Sequence, residues 1–292
     1  MPTKIEKDAV TGTETTGHEW DGVKELNTPL PTWWVYTFYA TIVFAIVYCV
    51  LYPSWPWLDG YTHGLLGYSS RSELTEELAA QAKARAAYVD RIRAAALPDI
   101  RKDRELLAFA MAGGRSAFQT NCVQCHGAGG AGSAGFPNLV DDNWIWGGSI
   151  DQIYKTIEHG IRNSDDDSRQ SLMPKFGADG MLTTEQADAV TDYVLSLSGR
   201  GRATAQGGAT AEGGAIFREQ CVACHQVDGK GNQELGAPNL ANGLWLYGGE
   251  SKQVYRSIFY GRNGSMPAWS GRLDEATLKM LAIYVHALGG GR

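Results

Sequence analysis

The longest apolar stretch of the chain runs from Trp33 to Tyr52 without a charged residue, a length that matches one bilayer-spanning helix. Trp33, Trp34 and Tyr36 crowd its first end and Tyr52, Trp55 and Trp57 its second, as an interfacial aromatic belt would. Pro53 and Pro56 end it. The run starts too late for a cleaved signal peptide and lacks a small-residue cleavage site, so it predicts a retained transmembrane helix over 32–53. Before it, residues 1–31 form a polar tail without clear period. After it, 54–112 reads as a helical connector. Ser72–Leu97 is rich in Glu, Ala, Lys and Arg, with Leu74, Leu78, Tyr88 and Ile92 apolar. That pattern predicts an amphipathic helix capped by Ser72 or Thr75 and stopped by Pro98, serving as a spacer or as a docking surface. A second helix is predicted from Ile100 to Met111.

The remaining pattern occurs twice. Residues from Gly113 to Ser198 resemble those from Gly213 to Gly289. Pro137-Asn138-Leu139 returns as Pro238-Asn239-Leu240, and Trp146-Gly147-Gly148 as Tyr247-Gly248-Gly249. Met173-Pro174 returns as Met266-Pro267 after a longer acidic insertion in the first copy, and Thr184–Leu197 as Glu275–Leu288. Each copy predicts a leading helix, a loop, a middle helix, a Met-Pro and a closing helix. The organisation is therefore all-α, with one domain over 113–198, a Gly-rich linker over 199–212 and a second domain over 213–292.

Composition narrows the chemistry. A net charge of −6 argues against nucleic acid as a partner. Four of the five Cys lie in two motifs, Cys122-Val123-Gln124-Cys125-His126 and Cys221-Val222-Ala223-Cys224-His225. Only Cys49 is left over, in the apolar run. Two thiols at this spacing can add across the two vinyl groups of one haem, and the His that follows is then held under the iron. A zinc site would need further Cys or His nearby, and a thioredoxin-like dithiol would need a βαβ context. Neither is present. The motifs predict two covalently bound haem c groups, with His126 and His225 as proximal ligands.

The layout of each copy resembles a class I cytochrome c domain. Met173 and Met266 stand at equivalent places before Pro and are the candidate sixth ligands, through a soft thioether that favours reduced iron. Met181 is a local rival without a partner in the second copy. Chain order favours ligation within a copy, and an exchange of the two Met between copies stays open. His159 and His286 align with Tyr260 and Leu195 and read as packing or surface residues; His18 and His63 receive no iron role. The resemblance also implies that the carbonyls of Pro137 and Pro238 accept the other ring proton of the proximal His. Trp146 and Tyr247 could bond haem propionates or pack in the core. The first copy carries eleven acidic residues, including Asp165-Asp166-Asp167. They form a solvated loop or a face that steers a basic cytochrome.

His18-Glu19-Trp20-Asp21-Gly22, Asn27-Thr28-Pro29-Leu30-Pro31-Thr32-Trp33-Trp34 and Tyr52-Pro53-Ser54-Trp55-Pro56 add a second resemblance. With the single helix and two haem domains, they resemble the dihaem subunit of bacterial cbb3-type cytochrome c oxidases over almost the whole chain. The resemblance implies electron transfer from a donor cytochrome c to a monohaem subunit and a haem–copper subunit that reduces oxygen and pumps protons. This chain would not reduce oxygen by itself. Thioether attachment takes place outside the bacterial cytoplasmic membrane, so the haem domains are expected in the periplasm and the tail in the cytoplasm. The alternatives are an independent membrane-anchored dihaem shuttle and a dihaem peroxidase; a Met candidate in each copy speaks against the second.

Overall fold

The computed structural model describes residues 4–200 and 211–289. Most of the expected linker, residues 201–210, lies outside them. The chain divides into two compact units, Met1–Lys83 and Ala84–Arg292.

The first unit opens with an antiparallel hairpin, β1 (Thr15–Trp20) and β2 (Val23–Leu26), where a polar tail without period was expected. Its turn is Asp21-Gly22, both with positive φ (49° and 83°). This is the signature of a tight two-residue hairpin turn whose twist matches the strands. Lys24 of β2 pairs at 2.6 Å with Glu6 in the segment ahead of the hairpin. Helix α1 (Thr32–Leu51) follows, long and apolar enough to cross a membrane, with none of its residues buried. A helix of this composition has no core to enter within its unit, and its apolar surface suits lipid. After a small hairpin, β3 (Pro56–Trp57) with β4 (Gly60–Tyr61), the chain folds back on the end of α1. Leu65 N–H donates to Val50 O (2.9 Å) and Leu66 N–H to Leu51 O (3.1 Å), satisfying carbonyls that the helix end leaves free.

Helix α2 (Ser70–Ala94) runs from the first unit into the second. It begins two residues before the expected start, with Ser69 rather than Ser72 or Thr75 at its entrance: Ser72 N–H donates to Ser69 Oγ at 3.4 Å. It is not amphipathic along its length, since only Ile92 is buried and Leu74 and Leu78 stay exposed. The predicted helix over Ile100–Met111 is two helices, α3 (Leu97–Lys102) and α4 (Arg104–Asn121). Pro98 sits in the first turn of α3, where its missing N–H costs nothing. Asp103 then caps α4 through Glu105 N and Leu106 N.

The two copies follow. The first comprises α4, α5 (Val123–His126), α6 (Ile150–His159) and α7 (Thr184–Leu197). The second comprises α8 (Ala211–Ile216), a π turn at Phe217–Cys221, α9 (Val222–His225), α10 (Ser251–Tyr260) and α11 (Glu275–Leu288). Their closing helices are exchanged. Helix α11, from the second copy, packs on α4 and α6 of the first, while α7, from the first, packs on α8 and α10 of the second. One buried core accordingly joins Ile100, Phe118, Ile153 and Leu281, and the other joins Val190, Val194, Phe217 and Ile258. The α4–α11 crossing is close because Gly114 has no side chain: a Cβ there would collide with Met280 O.

Candidate haem-binding sites

In the first copy, α4 delivers the motif. Cys122 closes the helix with its N–H on Phe118 O (2.8 Å), and the short α5 places His126 one turn further, with its N–H on Cys122 O (2.9 Å). The ring is fixed from behind, its Nδ1–H donating to Pro137 O at 3.0 Å. The second copy repeats this at the same distance, His225 Nδ1–H to Pro238 O at 3.0 Å. Both bonds match the expectation for Pro137 and Pro238. They set the tautomer and leave each Nε2 free of that partner, which suits an iron ligand. Burial pushes both imidazoles towards the neutral form, against the smaller opposing effect of the proline carbonyls. A neutral ring is the ligating form.

No disulfide joins the four motif thiols. Cys125 and Cys224 are exposed, whereas burial pushes the Cys122 and Cys221 thiols up to about 11, with the neighbouring Cys adding to the shift.

The Met residues are placed crosswise. Met266 packs on the core that includes Cys122 and Val123, and Met173 on the core that includes Cys221 and Val222. Each Met thus packs beside the other copy's motif rather than its own. Two glycines allow it. Gly160 and Gly261 end α6 and α10 with positive φ (67° and 69°), and the backbone of the opposite copy's Met passes directly against each. A Cβ on Gly261 would lie 2.6 Å from Met173 O, and one on Gly160 would collide with Met266 O. Met181, the local rival, is exposed.

The remaining sequence candidates separate. Trp146 and Tyr247 each lie under guanidinium groups: Arg169 is 5.3 Å and Arg162 5.8 Å from the Trp146 ring, and Arg262 is 4.3 Å from the Tyr247 ring. Arg162 donates to the carbonyls of Gly264 and Ser171, and Arg169 to Thr156 Oγ1 and Gln152 O. Burial lowers both guanidinium pKa values. The donor missed from sequence is Trp245, whose buried Nε1 has no hydrogen-bond partner and whose ring packs on the second core. Its recurrence opposite Trp144 was the available signal. An orphaned buried indole N–H is costly unless a further acceptor arrives. Such an acceptor fits a carboxylate-bearing group bound at Cys221, Cys224 and His225, so the residues present suit haem.

His159 is held between carboxylates, Nδ1 3.1 Å from Asp165 and Nε2 3.3 Å from Glu158, in line with a packing role. Of the acidic run, Asp165 turns inward on this contact and Asp166 and Asp167 stay exposed. His286 is buried in α11. Between the copies lies a groove of about 250 Å³ lined by Asn143, Trp144, Gln233, Pro238 and Asn242. Gln233 Nε2 spans it to Trp144 O (2.9 Å) and Asn242 Nδ2 to Asn143 Oδ1 (2.8 Å).

Three family models match in series. Residues 12–59 match the N-terminal domain of cytochrome oxidase-cbb3, FixP. Residues 111–198 match cytochrome c, and residues 208–285 match cytochrome C oxidase, cbb3-type, subunit III. Among curated proteins, the chain is 52% identical to the Cbb3-type cytochrome c oxidase subunit CcoP of Azospirillum brasilense, covering 98% of this chain and 99% of that one. It is 52% identical to the FixP subunit of Bradyrhizobium diazoefficiens over the full length of both. To the CcoP subunit of Cereibacter sphaeroides it is 48% identical, covering 95% of each.

Proposed function

Because this chain belongs to the CcoP/FixP family of cbb3-type cytochrome c oxidase subunits, we propose that it binds two haems c and passes electrons within such an oxidase. The donor is a cytochrome c; the acceptors are the monohaem subunit and then the haem–copper subunit, which reduces oxygen and pumps protons. The chain itself catalyses no oxygen chemistry.

Haem iron supplies the one-electron chemistry, and the chain supplies attachment, ligands and surroundings. Cys122 and Cys125 anchor one haem, with His126 as its proximal ligand; Cys221 and Cys224 anchor the other, with His225. The sixth ligands are exchanged, Met266 serving the first haem and Met173 the second. The observation that carries this is the packing of each Met on the core that contains the other copy's motif. A thioether ligand raises the potential by favouring reduced iron. The Nδ1–H bonds to the carbonyls of Pro137 and Pro238 would hold each imidazole in orientation for a bound haem. Helix α1 anchors the chain in the inner membrane, with both copies on the periplasmic side, where thioether bonds are made.

The test is purification from native membranes in mild detergent. Companion subunits carrying haem b and copper, oxygen uptake with reduced cytochrome c, and two haems c per chain are the expected result. A lone dihaem protein under equally mild extraction would replace the oxidase reading with an independent electron shuttle.

A further inference from the structure

The two exchanged Met segments are not held alike. Met266 lies in a backbone bridge with Ile161: its N–H donates to Ile161 O and its carbonyl accepts from Ile161 N–H, both at 2.9 Å. Its carbonyl also accepts from Asn163 Nδ2 at 2.8 Å. Asn163 is fixed in turn, since Nδ2 also donates to His159 O (2.8 Å) and Oδ1 accepts Asp165 N–H (2.7 Å). Two residues thus hold Met266, one of them through the main chain.

The second copy is one residue shorter at this place. His159-Gly160-Ile161-Arg162-Asn163 is matched by Tyr260-Gly261-Arg262-Asn263, with nothing opposite Ile161. The bridge it would make to Met173 is replaced by a side chain. Asn263 Oδ1 accepts Met173 N–H at 2.9 Å, and Asn263 Nδ2 donates to Met173 O at 3.3 Å. A carboxamide carries the same donor and acceptor as a peptide group, so Asn263 reproduces both halves of the missing bridge. Arg262 steadies it, with Nε on Ser257 Oγ (2.9 Å) and the guanidinium over Tyr247. Both bonds from Asn263 are solvent-exposed, and those from Asn163 are half-buried.

We propose that Asn263 is the positioning residue for Met173: the hydrogen bonds on the main chain of Met173 itself come from one exposed side chain, while Met266 has main-chain support. This rests on the reading of Met173 as an iron ligand. Removing Asn263 takes both hydrogen bonds from the Met173 main chain, leaving the segment held two residues away at Ser171 by Arg162 and Leu235; removing Asn163 leaves the Ile161 bridge at Met266 itself in place.

The experiment uses the full chain in its detergent-purified complex. It reads the sulfur-to-iron charge-transfer band of the ferric protein, the redox titration and the haem content. Asn263→Leu, isosteric and without hydrogen bonds, is expected to lose one haem's share of the band and move one titration wave to lower potential at unchanged haem content. Asn263→Asp, which keeps the acceptor for Met173 N–H, is expected to retain the band, as is Asn163→Leu. Met173→Ala is measured beside them. A full band in Met173→Ala overturns the ligand reading itself. A lost share in Met173→Ala with a full band in Asn263→Leu overturns the proposal alone, as does an equal loss in Asn163→Leu. If Asn263→Leu does not accumulate, Asn263→Ala is judged by the same criteria.

Discussion

Tyr284 on α11 lies with its ring centroid 5.5 Å from that of Phe118, one turn ahead of Cys122, and the second copy repeats the pair as Tyr193 and Phe217 at 5.2 Å. Each tyrosine belongs to one copy and supports the motif of the other. Tyr284→Ala removes a half-buried aromatic from the first core and should cost about 2–3 kcal/mol. The loss should appear in thermal melts followed at the haem on Cys122 and Cys125, with the other haem less affected. Tyr193→Ala should reverse the two.

Gly261→Ala addresses the crossing itself. The added Cβ meets Met173 O at 2.6 Å, and φ of 69° disfavours an L side chain by roughly 1–2 kcal/mol. The expected outcome is a weakened Met–iron charge-transfer band at one haem with both haems still attached. Gly261→Asn, which tolerates positive φ better, should be milder but still displace the carbonyl.

Asp274 caps α11, accepting Thr277 N–H at 3.2 Å and Thr277 Oγ1–H at 2.6 Å. Asp274→Ala should cost about 1 kcal/mol. Because α11 packs on α4, hydrogen exchange should quicken in α4 as well as in α11, while α7 and α10 keep their protection.

The haem-free chain should show unequal thiols. Raised pKa values keep Cys122 and Cys221 protonated, and a protonated thiol is a poor nucleophile. Alkylation should label Cys125 and Cys224 first, and the other two should become fast only as pH approaches about 11. Mass mapping of the four cysteines against pH measures this.

Much of the site is legible in single residues. The spacing Cys122, Cys125, His126 points to the attachment chemistry, and the resemblance to class I cytochrome c domains implies the hydrogen bonds found from His126 to Pro137 and from His225 to Pro238. The partnering of helices is not legible, for a physical reason. Helices α7 and α11 present equivalent faces, Tyr193 and Val194 matching Tyr284 and Val285, so each would pack acceptably on either leading helix. The exchange shows at Gly160 and Gly261, where the backbone of the other copy's Met passes, and periodicity carries no record of that. Other differences had local signals that lost to stronger ones. Asp21-Gly22 marks a hairpin inside a stretch too polar to suggest strands, and Pro98 suits a helix start as well as a helix stop. Trp245 recurs opposite Trp144 but stands beside the more obvious Trp146 and Tyr247, and its buried unpartnered Nε1 is what the structure adds.

The exchanged helices also set an order in time. A chain made from its amino terminus presents Cys122, Cys125 and His126 early, yet the partners of that site, Met266 and α11, are made last. At roughly 5–20 residues per second, the wait is on the order of ten to thirty seconds. The later motif has no such delay: Met173 and α7 already exist when Cys221 and Cys224 emerge. The first site to be made is thus the last that can close, and until then its unclosed half depends on whatever escorts the chain.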